Sequence, residues 1–331
     1  MGLAHTPRHS PPEGNLRDPH VRQSLVTVVI PAYNAADTIR RALDSVFRQD
    51  YRPIEVLVVD DASQDNTGEV VKAYGRAEVQ LISLSQNRGE SSVNAGIEAA
   101  RGEFVAFLDA DDEWLEGKLE KQLAVLQANP QMSFVTCGGA FVDRQGNRLR
   151  EFGLNPLPLA PDQVWRALLA RTLVAKPCVV ARRSALAAVG FFDPSLAVGG
   201  DQDMWIRLAV VGEVGSVQEI LVKAYDTPNS LTKKYAARVA EFVLPMIERH
   251  IAAQRAFLSD DEVRRILGER YTVIGRSIYV GGNALLGLRF LLWAIAKGDR
   301  ISENIQYLVA ASPPSRCLKG CLILLRQSIR P

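Results

Sequence analysis

Four short apolar runs, each followed by polar residues, constrain the fold of this chain more than any other sequence feature. They are rich in Val, Ile and Leu, as buried strands are, and begin near Leu25, Ile54, Val79 and Phe104. Between them lie segments with apolar residues at helical spacing, such as residues 39–47. This alternation predicts right-handed βαβ units and an α/β fold, in which helices flank a mostly parallel sheet.

The fourth run ends in three carboxylates within four residues, Asp109, Asp111 and Asp112. Like charges this close repel one another unless a cation, hydrogen-bond donors or water separate them. Carboxylate oxygens at the end of a buried strand are the ligands that Mg²⁺ and Mn²⁺ prefer. A solvated acidic turn that caps a helix beginning near Leu115 explains the same residues, and by themselves they do not decide between the two.

The polar residues after all four runs are expected to meet at one edge of the sheet. Ligands of such sheets bind outside the carboxyl ends of the strands. The residues predicted at this edge are Asn34, Asp60, Asp61, Arg88, Asp109, Asp111 and Asp112. Asn34 is also predicted to cap the first helix. No G-x-G-x-x-G motif follows the first run, so a dinucleotide-binding Rossmann protein matches poorly.

Length and charge narrow the class of protein further. The 331 residues can bury a large core, and a formal net charge of +2 gives no indication of a nucleic-acid partner. Several Pro and His residues without an apolar segment predict a flexible tail over residues 1–24 rather than a secretory signal. No apolar run reaches the ~20 residues that span a bilayer. The cysteines form no CxxC pair, which favours reduced thiols and a cytoplasmic protein: Cys137, Cys178, Cys317 and Cys321.

The second half of the chain contains another acidic segment. Residues 134–142 are strand-like and residues 143–147 have turn chemistry, so a hairpin or edge ribbon is expected there. Further on, Gly199 and Gly200 lead through Asp201 and Asp203 into a helix. Such a glycine-hinged entry with two carboxylates is either a helix cap or a functional site.

Five motifs occur in an order that resembles one enzyme family. They are VTVVIPAYNAADTIRRALDSVFRQ, EVLVVDDASQDNT, the Asn87-x-Gly89 loop, FLDADD and GGDQDMWIRLA. Together they resemble the inverting family 2 glycosyltransferases, which have the GT-A fold, over roughly residues 25 to 230. The resemblance implies a GT-A domain over residues 25–232, and the sequence pattern beyond it predicts a helical C-terminal region over residues 233–331.

The resemblance also implies roles for the residues at the sheet edge. Those implied to bind the nucleotide sugar are Pro31, Tyr33, Asn34, Asp60, Asp61, Arg88, Asp109 and Asp111. Asp61 is preferred over Asp60 for the base and ribose. Asp109 and Asp111 form the D-x-D implied to hold Mn²⁺ or Mg²⁺ and the sugar diphosphate, with Asp112 as an extra carboxylate. Arg88 either assists in binding phosphate or sugar, or is a solvated loop arginine.

Asp201 is the catalytic base that the resemblance implies. Relatives usually have an acidic pair before the W-x-R-L helix, but here Gly200 replaces the usual Glu. Asp203 would serve only if the loop register differs, and Trp205 and Arg207 are implied to pack and to pair. An acceptor hydroxyl must lose its proton as it attacks the anomeric carbon, and a positioned carboxylate that accepts it contributes typically 10²–10⁴-fold.

Beyond Ser230 the resemblance weakens. Relatives often carry a basic residue or histidine in an acceptor-side loop, and none occurs between Tyr225 and Thr232. Helices are predicted up to about Leu258, from Ser259 or Asp260, and after Gly282, as a tetratricopeptide-like helical hairpin or a helical cap. The last helix, Cys317 to Ile329, has basic residues around an apolar face. It either packs on the protein or contacts an anionic membrane surface.

The sequence therefore predicts a metal-dependent, inverting glycosyltransferase that uses a nucleotide sugar, in particular a UDP-sugar. The expected acceptor is a glycan or lipid-linked saccharide of surface polysaccharide assembly, at the inner face of the membrane. No Q-x-x-R-W motif follows Asp203, which favours non-processive transfer. One alternative is a nucleotidyltransferase, but PAYNAAD is not the Gly-rich phosphate loop expected of that class. Another is a non-catalytic nucleotide-sugar-binding protein, in which Gly200 marks a decayed base loop.

Overall fold

A computed structural model of the chain describes residues 24–154, 157, 160–225, 239–280 and 283–298. Three predicted features lie wholly or almost wholly outside the described residues. They are the tail over residues 1–24, the acceptor-side segment Asp226–Thr232, and the last helix, Cys317–Ile329, with Cys317 and Cys321.

The described strands form one nine-stranded sheet in the order β3-β2-β1-β4-β8-β6-β9-β5, with β7 paired to β6. The strands are β1 Val26–Ala32, β2 Ile54–Asp60, β3 Val79–Ser83, β4 Phe104–Phe107, β5 Glu113–Trp114, β6 Met132–Val142, β7 Arg148–Phe152, β8 Val180–Arg182 and β9 Glu213–Tyr225. The pairs β1–β2, β1–β4 and β2–β3 are all parallel, which confirms the predicted parallel sheet. The predicted hairpin is β6 and β7, while β8 pairs antiparallel with both β4 and β6.

The α-helices lie between and after these strands. They are α1 Ile39–Phe47, α2 Thr67–Lys72, α3 Val93–Ala99, α4 Lys118–Ala128, α5 Pro161–Ala170, α6 Arg183–Val189, α7 Gly200–Val211, α8 Val239–Ala253, α9 Asp260–Val280 and α10 Ala284–Ala296. Of the helices within the described ranges, none is long and apolar enough to cross a bilayer.

Pro31 shows why β1 is longer than its apolar run. The strand continues through Pro31, which lies beside Val59 of β2. The carbonyl of Val29 accepts a hydrogen bond from the N–H of Leu108 on the β4 side. Since every second residue of a strand directs its backbone polar groups to the same side, those of residue 31 also face that side. β4 is paired with β1 only as far as Val29. The N–H group that Pro31 lacks would therefore point past the end of β4, and the strand tolerates a proline there.

Three predicted helix boundaries are wrong, each because a longer-range contact decides the boundary. α1 begins at Ile39 rather than after Asn34, because the side-chain oxygen of Asn34 accepts the N–H of Gln64 instead of capping a helix. α3 ends before Gly102, and a Cβ at Gly102 would lie 2.6 Å from the backbone nitrogen of Thr27, so this glycine allows a close approach to β1. α4 begins only at Lys118, because β5 pairs with β9 and Leu115 after it still donates its N–H to the carbonyl of Leu221 in β9.

The core lies on both faces of the sheet. One apolar cluster joins the N-terminal strands to α5, α7 and the C-terminal helices, and the other lies under α1 and α4. Trp205 is 1% exposed and contacts the rings of Phe107, Phe134 and Phe192. Its packing role is therefore confirmed. Cys137 is buried as a free thiol, as is Cys178.

The C-terminal helices pack on the α/β part through a buried arginine. Arg270 of α9 donates to the carbonyls of Leu168 and Leu169 in the last turn of α5, and to Gln202 of α7. A cation at a helix C-terminus is favourable because the last carbonyls lack partners within the helix. α9 and α10 form the expected helical hairpin, in which a Cβ at Gly287 would lie 2.8 Å from the carbonyl oxygen of Gly275.

Candidate active site

The loops after β1 and β2 are fastened to each other by Asn34. Its backbone is left-handed (φ 50°), a conformation that asparagine tolerates better than most residues. Its side-chain oxygen accepts the N–H of Gln64 at 2.7 Å, and its own N–H donates to the Ser63 hydroxyl at 2.9 Å. The Asp60 carboxylate accepts the N–H of Ser63 at 3.0 Å. Asn34 is therefore a loop clamp and not the helix cap predicted from the sequence. Tyr33 beside it is 50% exposed.

Asp61 fastens the loop after β3 to the same edge. It is 3% exposed, and its two carboxylate oxygens accept the N–H groups of Arg88 at 2.7 Å and Gly89 at 2.9 Å. Burial raises the pKa of Asp61, and these two hydrogen bonds oppose the effect. Each oxygen keeps a second lone pair for a further donor. The side chain of Arg88 is exposed.

The D-x-D turn after β4 contacts a lysine that sequence analysis did not single out. Lys176, in the 3₁₀ turn Lys176–Cys178 before β8, lies with its Nζ 2.6 Å from Oδ1 of Asp109. Burial alone would lower the pKa of Lys176, but the negative charges of Asp109, Glu90 and Asp201 hold it above its usual range. Lys176 is therefore an ammonium ion surrounded by carboxylates.

Asp112 is not the solvated helix cap considered from the sequence. It is 6% exposed and accepts the N–H of Tyr225, the last residue of β9, at 3.1 Å. Burial raises the pKa of Asp112 well above its usual range, and the charges of Asp109 and Asp111 raise it further. Arg41 of α1 donates to the backbone carbonyl of Asp111 at 2.6 Å and holds the turn in place.

The glycine-hinged loop brings Asp201 to the same group of charges. Gly199 is left-handed (φ 87°), α7 begins at Gly200, and Asp201 accepts the N–H of Gln202 at 2.7 Å. Burial raises the pKa of Asp201, Asp109 adds to the effect, and Lys176 opposes it.

A second carboxylate, which the sequence did not point to, lies beside this loop. Oε2 of Glu90 accepts the N–H of Gly200 at 2.7 Å. Burial and the charge of Asp201 raise the pKa of Glu90 to about 7.

Asp203 faces away from this cluster and has its own partners. One carboxylate oxygen lies 2.8 Å from Nε of Arg207, and the other lies 2.8 Å from Nε2 of His250 in α8. Arg207 also donates to the carbonyls of Val189, Gly190 and Phe191. The pairing role expected for Arg207 is therefore confirmed, and Asp203 belongs to the scaffold.

The donor set at the D-x-D fits a divalent cation that arrives with phosphate oxygens. Within the described ranges, no group of three or more His, Cys, Asp or Glu side chains is arranged to hold a metal alone. Mg²⁺ is usually bound by one or two carboxylates together with substrate phosphates, and Asp109 and Asp111 supply two carboxylates. Burial is the main cause of the raised pKa of Asp112, and the charges of Asp109 and Asp111 add a repulsion that a cation would relieve.

Comparisons with known proteins agree with this geometry. The model of the family described as "Glycosyl transferase family 2" matches residues 27–190. The chain is 30% identical over 231 residues to the putative teichuronic acid biosynthesis glycosyltransferase TuaG of Bacillus subtilis (strain 168), a match that covers 68% of this chain and 89% of TuaG. The chain belongs to glycosyltransferase family 2.

Two solved structures have the same fold as this family 2 glycosyltransferase. The mannosyltransferase PcManGT from Pyrobaculum calidifontis, in complex with GDP-Man and Mn²⁺, has a TM-score of 0.58 at 21% identity, over 92% of this chain and 86% of PcManGT. S. aureus TarS 1-349, in complex with UDP-GlcNAc, has a TM-score of 0.53 at 18% identity, over 82% of this chain and 87% of TarS. Both are GT-A structures, so the predicted GT-A fold is confirmed.

The structure brings together most of the residues that the sequence placed at the edge of the sheet. Direct contacts tie Asn34 to the loop after Asp60, and Asp61 to the loop of Arg88. Asp109 and Asp201 both interact with Lys176. Sequence analysis missed Lys176, Glu90 and Arg41, because no motif or spacing distinguishes them from ordinary charged residues.

Proposed function

We propose that this family 2 glycosyltransferase transfers one sugar at a time from a UDP-sugar to a hydroxyl of a glycan or lipid-linked saccharide, with inversion. The observation that carries the proposal is the meeting of three groups at the carboxyl edge of β1, β2 and β4. These groups are the buried Asp61, the D-x-D of Asp109 and Asp111, and Asp201 at the entry to α7.

The nucleotide is assigned to the loops after β1, β2 and β3. Asp61 accepts a hydrogen bond from the base or ribose while it holds the loop of Arg88. Pro31, Tyr33, Asn34 and Asp60 complete the nucleotide-facing wall, and Arg88 extends towards phosphate or sugar. Two proteins of the same fold were solved with nucleotide sugars, UDP-GlcNAc in one and GDP-Man in the other, which supports a donor of this class.

The leaving nucleoside diphosphate is assigned to Asp109 and Asp111 with Mn²⁺ or Mg²⁺. When bound, the cation neutralises the charge that develops on the diphosphate as the glycosidic bond breaks. Carboxylates alone would repel the phosphates. Asp109 would share its carboxylate between the metal and Lys176, whose ammonium adds a second positive charge beside the D-x-D. PcManGT, a neighbour of the same fold, was solved with Mn²⁺.

Asp201 is assigned as the base that removes the proton of the acceptor hydroxyl. A general base works best with a pKa near the operating pH, and the pKa of Asp201 is raised towards that range by burial. Attack from the face opposite the diphosphate gives a single displacement and inverts the anomeric centre. The name of TuaG, teichuronic acid biosynthesis, supports an acceptor in surface polysaccharide assembly. We place the enzyme in the cytoplasm, at the inner face of the membrane.

The test is a donor screen in which release of nucleoside diphosphate is followed with Mn²⁺ or Mg²⁺. Asp201→Asn should abolish release with a sugar acceptor and leave UDP binding within about threefold, because the base acts only in the transition state. Asp109→Asn should weaken donor binding and its dependence on metal. Asp37→Asn, at an exposed position in the loop before α1, is the matched control.

The outcomes separate the proposal from its alternatives. Release of pyrophosphate instead of nucleoside diphosphate would indicate the nucleotidyltransferase alternative. Donor binding without release by the wild type would favour the non-catalytic alternative. Full activity of Asp201→Asn would remove Asp201 as the base, while the family assignment would stand.

A further inference from the structure

One short segment after β3 contacts both ends of the proposed site. The N–H groups of Arg88 and Gly89 bind the carboxylate of Asp61, at the nucleotide end. The next residue, Glu90, turns its side chain the other way and accepts the N–H of Gly200 at the start of α7. The segment continues as the 3₁₀ turn Gly89–Ser92 and then directly as α3, so its two contacts lie on one short, ordered piece of backbone.

Glu90 supplies a cap that α7 cannot supply for itself. The first N–H groups of a helix have no partner within the helix, and the residue before α7 is Gly199, which has no side chain. A carboxylate is also favoured there by the positive end of the helix dipole. The space for Glu90 exists because residue 200 is a glycine: a Cβ there would lie 2.8 Å from Oε2 of Glu90.

We propose that Glu90 is a positioning residue for Asp201, which it holds in register with the nucleotide-binding loop through the N–H of Gly200. This inference rests on the proposed role of Asp201 as the base. Two adjacent glycines give the loop before α7 a wide choice of backbone conformations, and only a fixed partner selects one of them. Since the same segment binds Asp61, the entry of α7 is positioned relative to the nucleotide end.

The charges around Glu90 are consistent with a tight cluster rather than a solvated side chain. The ionisable groups that act on it are Asp201 at the start of α7 and Lys176 before β8. Lys176 in turn binds Asp109. Glu90, Lys176 and Asp201 come from three separate elements. Asp201 accepts its hydrogen bond from the N–H of Gln202, so loss of the Glu90 carboxylate changes the surroundings of Asp201 and leaves that bond in place.

The experiment combines kinetics with amide exchange on the full chain. Glu90→Ala should lower kcat about 10- to 100-fold and leave the donor KM within about threefold, because a small displacement of a catalytic group costs about that much while Asp61 keeps its hydrogen bonds. Glu90→Gln retains an oxygen that accepts the N–H of Gly200 and should recover most of the rate. Glu98→Ala, exposed on α3, is the matched control and should behave as wild type.

A double-mutant cycle tests the contact itself. Gly200→Ala should displace the Glu90 carboxylate and mimic Glu90→Ala, and the double variant should be no worse than the poorer single variant. Amide exchange in a peptide covering residues 196–204 should be faster in Glu90→Ala than in wild type or Glu98→Ala.

Each outcome bears on a different claim. A kcat of Glu90→Ala equal to that of an active wild type, or losses that multiply in the double variant, would overturn the role of Glu90 alone. Unchanged amide exchange in Glu90→Ala would overturn it as well. A wild type that releases nucleotide from no donor would overturn the proposed function, and the role of Glu90 with it.

Discussion

Replacing Glu90 by Gln should change how the stability of the protein depends on pH. The pKa of Glu90 is raised from 4.5 to about 7 by burial and by the charge of Asp201. One pKa unit corresponds to about 1.4 kcal/mol of difference between the two protonation states, so keeping Glu90 ionised in the folded protein costs about 3 kcal/mol. Gln has nearly the same shape and no charge, and it does not incur this cost.

The direction in which the free energy of unfolding changes with pH depends on whether the folded or the unfolded protein holds the proton of Glu90. Between the ordinary pKa of Glu and about 7, the folded protein keeps the proton on Glu90 while the unfolded chain has lost it. The free energy of unfolding of the wild type therefore falls as pH rises through this range and then levels off. Glu90→Gln lacks this fall. Relative to wild type, the variant should gain about 2–3 kcal/mol between pH 4.5 and pH 8.

Urea unfolding of both proteins at half-unit steps of pH, without donor or added metal, measures this difference. Every other titrating group contributes to both curves and cancels, and the repulsion between Glu90 and Asp201 is already included in the raised pKa of Glu90. The hydrogen bond to Gly200 is retained in some form at every pH and shifts the curves by a constant. Parallel curves would refute the raised pKa of Glu90. Glu98→Gln, at an exposed position, should show no such divergence.

Three further substitutions test other contacts. Lys176→Met should move the acidic limb of the kcat–pH profile to higher pH, because Lys176 opposes the rise in the pKa of Asp201. Arg270→Met should lower the free energy of unfolding in urea by about 2–4 kcal/mol, since it leaves buried carbonyls without donors. Trp205→Ala should lower it by about 3–5 kcal/mol through a cavity among aromatic rings.

Arg270→Met and Trp205→Ala have controls at exposed positions of the same helices. Arg264→Met on α9 and Val211→Ala at the end of α7 should each change stability by less than about 0.5 kcal/mol. An unmoved acidic limb in Lys176→Met would show that its ammonium does not act on Asp201. Stabilities of Arg270→Met and Trp205→Ala that match their controls would contradict the burial on which these magnitudes depend.

The parallel part of the fold could be predicted because its signals are local. The apolar runs of β1, β2, β3 and β4 each end in polar residues, and parallel strands bring those ends to one edge without any further information. Asp61 and Asp109 were found in this way. Boundaries were less accurate, since they depend on partners distant in sequence: Pro31 stays in β1 because β4 has already ended beside it.

The other residues of the site were not predictable, because their roles arise only from contacts between distant parts of the chain. Glu90 follows a recognisable loop, but its partner Gly200 is 110 residues away. Lys176 precedes a short strand in a segment with no periodicity, and nothing local indicates that it lies against Asp109. Asp112 looked like one more exposed carboxylate of an acidic turn until the end of β9 placed the N–H of Tyr225 against it.

The balance of charge explains why Lys176 and the carboxylates around it act together. Lys176 is the ammonium that acts on Glu90, Asp109 and Asp201, so the carboxylates around it outnumber its single charge. Burial, together with repulsion between the carboxylates, raises the pKa of Glu90 to about 7 and also raises the pKa of Asp201. A diphosphate without a counter-ion would meet this negative field and be repelled. Positive charge that enters with the donor lowers both pKa values, so a larger fraction of Asp201 would be ionised and able to accept a proton once the donor is in place.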